Sequence, residues 1–212
     1  MRDPTLRTLV IETATAACSV ALIEHGAVIA RAHETGGRGH AEQLIPMIAG
    51  LPDGGRAAHI LVDCGPGSFT GIRVGVAAAR GLALGWGATL GGFSSLAALA
   101  AGAFARETVY GPLAVLLEGG HGEVFMQTFE APPLTETSTL ASLAPADARL
   151  RLGGMHAVGD GLRWLGFGDP RTAPRGALPD AADAVLLPPA FTTLEPKPIY
   201  GRAPDAKPMV VA

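Results

Sequence analysis

Cysteine is scarce in this 212-residue chain. The two present, Cys18 and Cys64, lie in apolar runs and in no metal or redox spacing, which excludes a disulfide-stapled scaffold and suits buried free thiols of a cytosolic protein. Charge is also sparse: charged residues make up 17% of the chain, the net charge is −3, and no Lys/Arg block exists. A stand-alone nucleic-acid binder needs a basic stripe, so any role on RNA would borrow its positive surface from a partner. Long apolar runs are missing too, since no segment approaches the roughly 18 uncharged residues of a membrane span. The apolar Leu9-Val10-Ile11 near the start is cut short by Glu12 and is too brief for a secretory leader. The expectation is a cytoplasmic protein without a membrane partner.

Apolar residues are abundant, at 48%, as is glycine, with 29 residues. The chain is organised around Gly65-Pro66-Gly67-Ser68-Phe69-Thr70-Gly71-Ile72-Arg73-Val74-Gly75. An apolar run at residues 59–64 leads into it and an Ala/Gly-rich segment follows to Gly85. Strand, Gly/Pro punctuation and then Ser68 or Thr70 as N-cap is the pattern of a strand-loop-helix unit. Such a loop aims backbone N–H groups at one point and can hold an anion. No Lys follows the glycines, however, so the P-loop pattern is absent.

On the helix that follows, Gly71, Gly75, Ala78, Leu82 and Gly85 fall on one narrow face, while Ile72, Val76, Ala79 and Ala83 line a neighbouring one. Arg73 and Arg80 share the polar side. One stripe is enough to seat a helix on its sheet. The second, nearly bare of side chains, reads either as a contact for another helix or as tight packing on the domain's own sheet. Enlarging Gly75 or Ala78 is expected to weaken a partner contact and spare the fold.

Strands are expected at residues 8–12, 18–24 and 27–34, the last two joined by a His25-Gly26 turn. A helix follows over about 40–51, with Leu44, Met47, Ile48 and Leu51 at helical period and Pro46 inside it. Then come the strand at 59–64, the pivotal helix, a strand at 88–92, and a helix capped by Ser94 that runs to about 104. This is one compact α/β lobe, residues 1–106, with an antiparallel hairpin pair joined to parallel strands. A second, smaller lobe, 107–212, opens with strands at 113–118 and 123–129 around Gly119-Gly120-His121-Gly122. A short helix is expected within 140–150, a strand at 156–161, and a proline-rich tail from 170 with short helices near 180–187.

With these pieces placed, the sequence resembles the TsaB (YeaZ) family of the bacterial tRNA threonylcarbamoyladenosine pathway. The resemblance rests on Ile11-Glu12-Thr13-Ala14-Thr15, Ala17-Cys18-Ser19-Val20-Ala21-Leu22, His40 with Leu44-Ile45-Pro46-Met47, and the 65–75 string continued through Gly81-Leu82-Ala83-Leu84-Gly85. Gly122-Glu123-Val124-Phe125 and Pro198-Ile199-Tyr200 fit more loosely. It implies an actin/Hsp70-like (ASKHA, ribonuclease H-like) two-lobe α/β fold. It also implies a non-catalytic subunit that pairs with TsaD, its catalytic paralogue, and works with the ATPase TsaE. On that reading it forms a homodimer when TsaD is absent and meets tRNA only indirectly. The partner surface would comprise His40, Leu44, Met47 and Ile48 on one helix and Gly71, Ile72, Gly75, Val76, Ala78, Ala79 and Leu82 on the other.

The catalytic paralogue holds a metal through a His-x-x-x-His pair. Here Leu44 follows His40 at that spacing, so no chelate exists and no metal is expected. Phosphate-gripping relatives place glycine where this chain has Ala14-Thr15, so backbone approach to a phosphate is harder. Glu12 reads as a strand-end carboxylate held by backbone N–H groups, ahead of a catalytic acid. Gly119-Gly120-His121 replaces the family's usual Asp-Ala-Arg and resembles the paralogue's phosphate-facing loop, although a glycine-rich hairpin turn is the plainer reading. No cofactor is expected beyond weak nucleotide at a vestigial loop of Thr13, Thr15, Gly67, Ser68, Thr70, Gly120 and His121. The alternative function is a nucleotide-binding ASKHA enzyme, an ATPase or glycoprotease-like peptidase. No Ser-His-Asp or Cys-His arrangement is legible around Cys64 or Ser68.

Overall fold

The computed structural model describes residues 7–36, 39–107, 109–166 and 178–201. Parts of the expected glycine-rich opening at 37–38 and of the tail, at 170–177 and 202–212, lie outside the described residues. The first sheet contains β1 (Arg7–Glu12), β2 (Ala17–Glu24), β3 (Ala27–Thr35), β4 (His59–Asp63) and β5 (Thr89–Phe93), in the order β3-β2-β1-β4-β5. The first three strands form an antiparallel meander, and β4 and β5 run parallel to β1.

Alternate side chains of a strand face opposite sides, and here both sides are covered, which is why β1 and β4 read as unbroken apolar runs. Leu9, Ile11, Ile60 and Val62 face α1 (His40–Ala49) and α2 (Phe69–Trp86), where they pack with Leu44, Ile48, Ile72, Val76 and Ala79. Val10, Leu61 and Phe93 face the other way, onto α3 (Ser95–Arg106) and its Leu96 and Leu99.

The same core continues into the second sheet through Val115, Leu117, Phe125 and Phe129. This sheet holds β6 (Leu113–Gly120), β7 (Glu123–Glu130), β8 (Thr135–Glu136), β9 (Ala141–Leu143) and β10 (His156–Val158), ordered β10-β6-β7-β8 with β9 also on β7. Its far face packs Leu116 and Met126 against α4 (Pro145–Leu152). The expected helix within 140–150 divides into β9 and α4, because Pro145 suits the first position of a helix, where its missing N–H costs no bond. Two sheets with helices on both faces of the first form the actin/Hsp70-like α/β fold that the sequence resembles.

After β10 the chain returns to the first sheet. A short helical turn, Ala181–Leu186, packs in the core beside α3, with the Ala181 amide donating to Ser19 Oγ at 2.9 Å. Arg106 on α3 clasps Asp183 with both guanidinium nitrogens, at 2.6 and 2.9 Å. Leu194 then bridges Gly92 on β5 in antiparallel fashion, and the Ile199 amide donates to the Cys64 carbonyl at 2.7 Å.

Candidate functional site

The loop at 65–71 sits directly on the β1–β2 turn. The Ser68 amide donates to the Ala14 carbonyl at 2.6 Å, Ser68 Oγ accepts from the Gly71 amide at 3.2 Å, and Thr13 Oγ1 donates to the Gly71 carbonyl at 2.8 Å. A β-carbon on Gly67 would fall on the Ala14 carbonyl oxygen, one on Gly71 on the Thr13 carbonyl oxygen, and one on Gly75 on Thr13 Oγ1. These three glycines therefore let the helix start approach the turn backbone. Thr13, Gly67 and Ser68 do come together, but as a packed joint in which the Ser68 and Gly71 amides already have acceptors within the chain, while Thr70 is exposed on the first turn of α2. Thr15 Oγ1 likewise accepts from the Ala17 amide at 3.2 Å. Gly120 and His121 lie apart from this joint in sequence and sheet, in the β6–β7 turn, where Gly120, His121 and Gly122 all take positive φ, as a tight glycine-rich hairpin requires.

The partner surface expected on α1 and α2 is corrected in part. Leu44, Ile48, Gly71, Ile72, Gly75, Val76 and Ala79 are buried against the chain's own first sheet and turn. The small-residue stripe repeats every seven residues, and such a stripe drifts by about 20° per heptad around a straight helix. Its early members lie under Thr13, while its later ones rotate outward. His40, Met47, Ala78 and Leu82 are half-buried. Leu84 is 88% exposed and Ile45 50% exposed, and nothing lies within 4 Å of where a β-carbon of Gly81 or Gly85 would be. The open part of the surface is thus the outer, C-terminal half of α2 with Ile45 on α1, two positions the periodicity argument passed over. The signal was available: Ala77, Gly81, Leu84 and Gly85 also share one face at helical spacing.

His40 has a structural partner, its Nε2 hydrogen-bonded to the Ala17 carbonyl at 2.8 Å, which ties the start of α1 to β2. Among the described residues no group of three or more His, Cys, Asp or Glu is placed to hold a metal ion. Arg73 and Arg80, left as a polar side in the sequence, hold the C-terminal segment. Arg80 donates to the Pro196 carbonyl at 2.8 Å and Arg73 Nε to the Tyr200 hydroxyl at 3.2 Å. The Arg73 guanidinium also lies 3.7 Å over the Phe69 ring, which meets Tyr200 at 5.5 Å between centroids.

Ionisable groups at the sheet end are strongly perturbed. Burial, then the charge of Asp63, raises the Glu12 carboxyl well above the carboxylate range, against the pull of the Ala14 amide and Ser19 hydroxyl. Burial pushes Asp63 up to about 7. It likewise pushes the Cys18 thiol to about 11 and the Cys64 thiol to about 12, so neither is a ready nucleophile. Glu12 thus has the amide-held geometry expected of a strand-end carboxylate.

Comparison with known proteins agrees with this architecture. Residues 29–138 match the family model described as TsaD, tRNA N6-adenosine threonylcarbamoyltransferase. The tRNA threonylcarbamoyladenosine biosynthesis protein TsaB of Escherichia coli K12 is 35% identical over 130 residues, covering 59% of this chain and 55% of that protein. TsaB of Haemophilus influenzae is 38% identical over 104 residues, covering 47% and 44%. The chain therefore spans about half the length of the curated relatives it matches. In structure, YeaZ from Pseudomonas aeruginosa is similar with a TM-score of 0.75 at 25% identity, covering 92% of this chain and 99% of that one.

Proposed function

The chain belongs to the TsaB (YeaZ) branch of the TsaD family, and from that premise we propose that it acts in forming N6-threonylcarbamoyladenosine in tRNA as a non-catalytic scaffold. In this reading it pairs with TsaD through the outer faces of α1 and α2, works with TsaE, self-associates when TsaD is absent, and touches tRNA only through the complex. This reading puts its place of work with tRNA in the cytoplasm. Among the described residues no helix is long and apolar enough to cross a membrane.

One observation carries the proposal. The C-terminal half of α2 presents Leu84 to solvent between Gly81 and Gly85, with nothing beside either glycine. An exposed leucine flanked by bare backbone admits another helix at close range, where dispersion contacts are densest. Two features that a catalytic reading would call on are closed. Cys64 and Cys18 hold their protons tightly, and the helix-start amides of Ser68 and Gly71 are bonded to the chain itself.

Co-purification with TsaD tests the pairing. Leu84→Asp and Gly85→Trp are expected to lose TsaD while unfolding at the wild-type urea midpoint. Full retention of TsaD by both variants would overturn the proposal. Reconstituted tRNA modification, with TsaD and TsaE present and this subunit added or omitted, reads the function itself.

A further inference from the structure

Glu12 and Asp63 are the last residues of β1 and β4, strands that pair in parallel with Ile11 beside Val62. Each lies two residues beyond one that faces α3 and the second sheet, Val10 and Leu61, so both carboxyls turn to that side. Both residues are 0% exposed. Glu12 accepts from the Ala14 amide at 2.8 Å and from Ser19 Oγ at 3.2 Å. Asp63 Oδ1 accepts from the Gly65 amide at 2.7 Å and from Ser95 Oγ at 2.8 Å, while its Oδ2 is buried with no partner among the described residues.

Among the described residues no cation is paired with either carboxyl; Arg80 acts on the neighbouring Cys64 thiol. On β2, Cys18 is a neutral thiol that feels Glu12, and on the segment after β4 Cys64 is a neutral thiol that feels Asp63. From α3 the facing polar group is Ser95. Beside the 181–186 turn, Asp183 is paired with Arg106, and Asp180 with Arg31 and His33. Two buried carboxyls on neighbouring strand ends, with neutral donors and no paired cation among the described residues, repel each other if both ionise. An acceptor oxygen that accepts nothing, such as Asp63 Oδ2, is the atom on which a proton relieves most strain.

We propose that Glu12 and Asp63 together form a proton-binding site that stays occupied at neutral pH and clasps the open end of the first sheet. Four segments meet on it: the β1–β2 turn through Ala14, the loop to α2 through Gly65, the start of α3 through Ser95, and the 181–186 turn through Ser19. Losing the proton places a second charge among them and loosens the clasp. The raised affinities of both carboxyls for protons point the same way.

The test is carbon-13 NMR titration of the side-chain carboxyls from about pH 5 to about pH 9, in full-length protein carrying Asp160→Asn to remove the other high-titrating acid. One carboxyl is expected to titrate near or above neutrality, its resonance vanishing or shifting in Asp63→Asn and in Glu12→Gln. Amide exchange at Gly65 and Ala14 is expected to quicken across the same range. Ordinary titration of every carboxyl, below about pH 5, overturns the proposal, and this reading needs no variant of the pair to fold. A high titration that ignores both substitutions also overturns it. So does a shift of the titration to lower pH on adding Mg²⁺, which would make the pair a cation site instead.

Discussion

The hydroxyl of Thr13 donates a 2.8 Å hydrogen bond to the carbonyl of Gly71, pinning the β1–β2 turn to the first turn of α2. That same hydroxyl stands where a side chain on Gly75 would begin. Enlarging Gly75 was expected to spare the fold; the packing reverses this. Gly75→Leu is predicted to destabilise the protein by at least about 1–3 kcal/mol, the range for overfilled cores. Urea denaturation measures it. Gly85→Leu, which meets open space, is the control and should hold the midpoint or raise it slightly, since leucine is the better helix former.

A second prediction concerns Arg7, whose side chain is buried and bonded through Nε to Glu24 at 2.8 Å and through Nη1 to Asp53 at 2.7 Å. Glu24 is mostly buried and Asp53 mostly exposed, so the two partners differ in weight. Arg7→Met should lower the thermal midpoint clearly more than Asp53→Asn does. Equal effects from the two substitutions would refute that ranking.

The Asp160 carboxyl supplies a pH prediction. Burial raises it to about 7, while its Oδ1 accepts from the Glu118 amide at 3.0 Å. The folded chain therefore binds this proton more tightly than the unfolded chain. The stability it contributes is complete below the ordinary aspartate range and is lost as pH rises through about 7. Chemical denaturation at a series of pH values should show stability falling toward mild alkali, with a smaller fall in Asp160→Asn. An unchanged slope in that variant would assign the dependence elsewhere.

Thiol labelling probes the returning C-terminal segment. Cys64 is fully buried, its Sγ 3.6 Å from the Glu195 carbonyl, and the Ile199 amide holds its own carbonyl. Native protein should resist an aromatic disulfide reagent at neutral pH. Truncation before Leu194 should make Cys64 reactive, and Cys18, buried near Glu34 on a different part of the sheet, much less so. Equal labelling of both would mean global unfolding.

Much of the first sheet was legible because β1, β4 and α3 are apolar on the sides they bury, and a run such as Leu9-Val10-Ile11 has few other destinations. The glycine string announced a strand-loop-helix joint for the same local reason. What the glycines meet was not legible, since Gly67, Gly71 and Gly75 are matched to Thr13 and Ala14, more than fifty positions away. Which face of α2 stays open was hidden likewise, because that depends on the reach of one short turn. The pairing of Arg73 and Arg80 with a tail more than a hundred residues later carries no local mark either.

Because Leu194 seals the outer edge of β5 and Ile199 holds the residue after β4, the first sheet is finished by nearly the last described stretch of chain. During synthesis, which delivers the early strands first, β5 must wait with its rim unbridged at Gly92 until residue 194 has been translated. The nascent polypeptide is thus vulnerable to sticking at that rim until then, and any early stop codon before that point would release a protein with the rim bare.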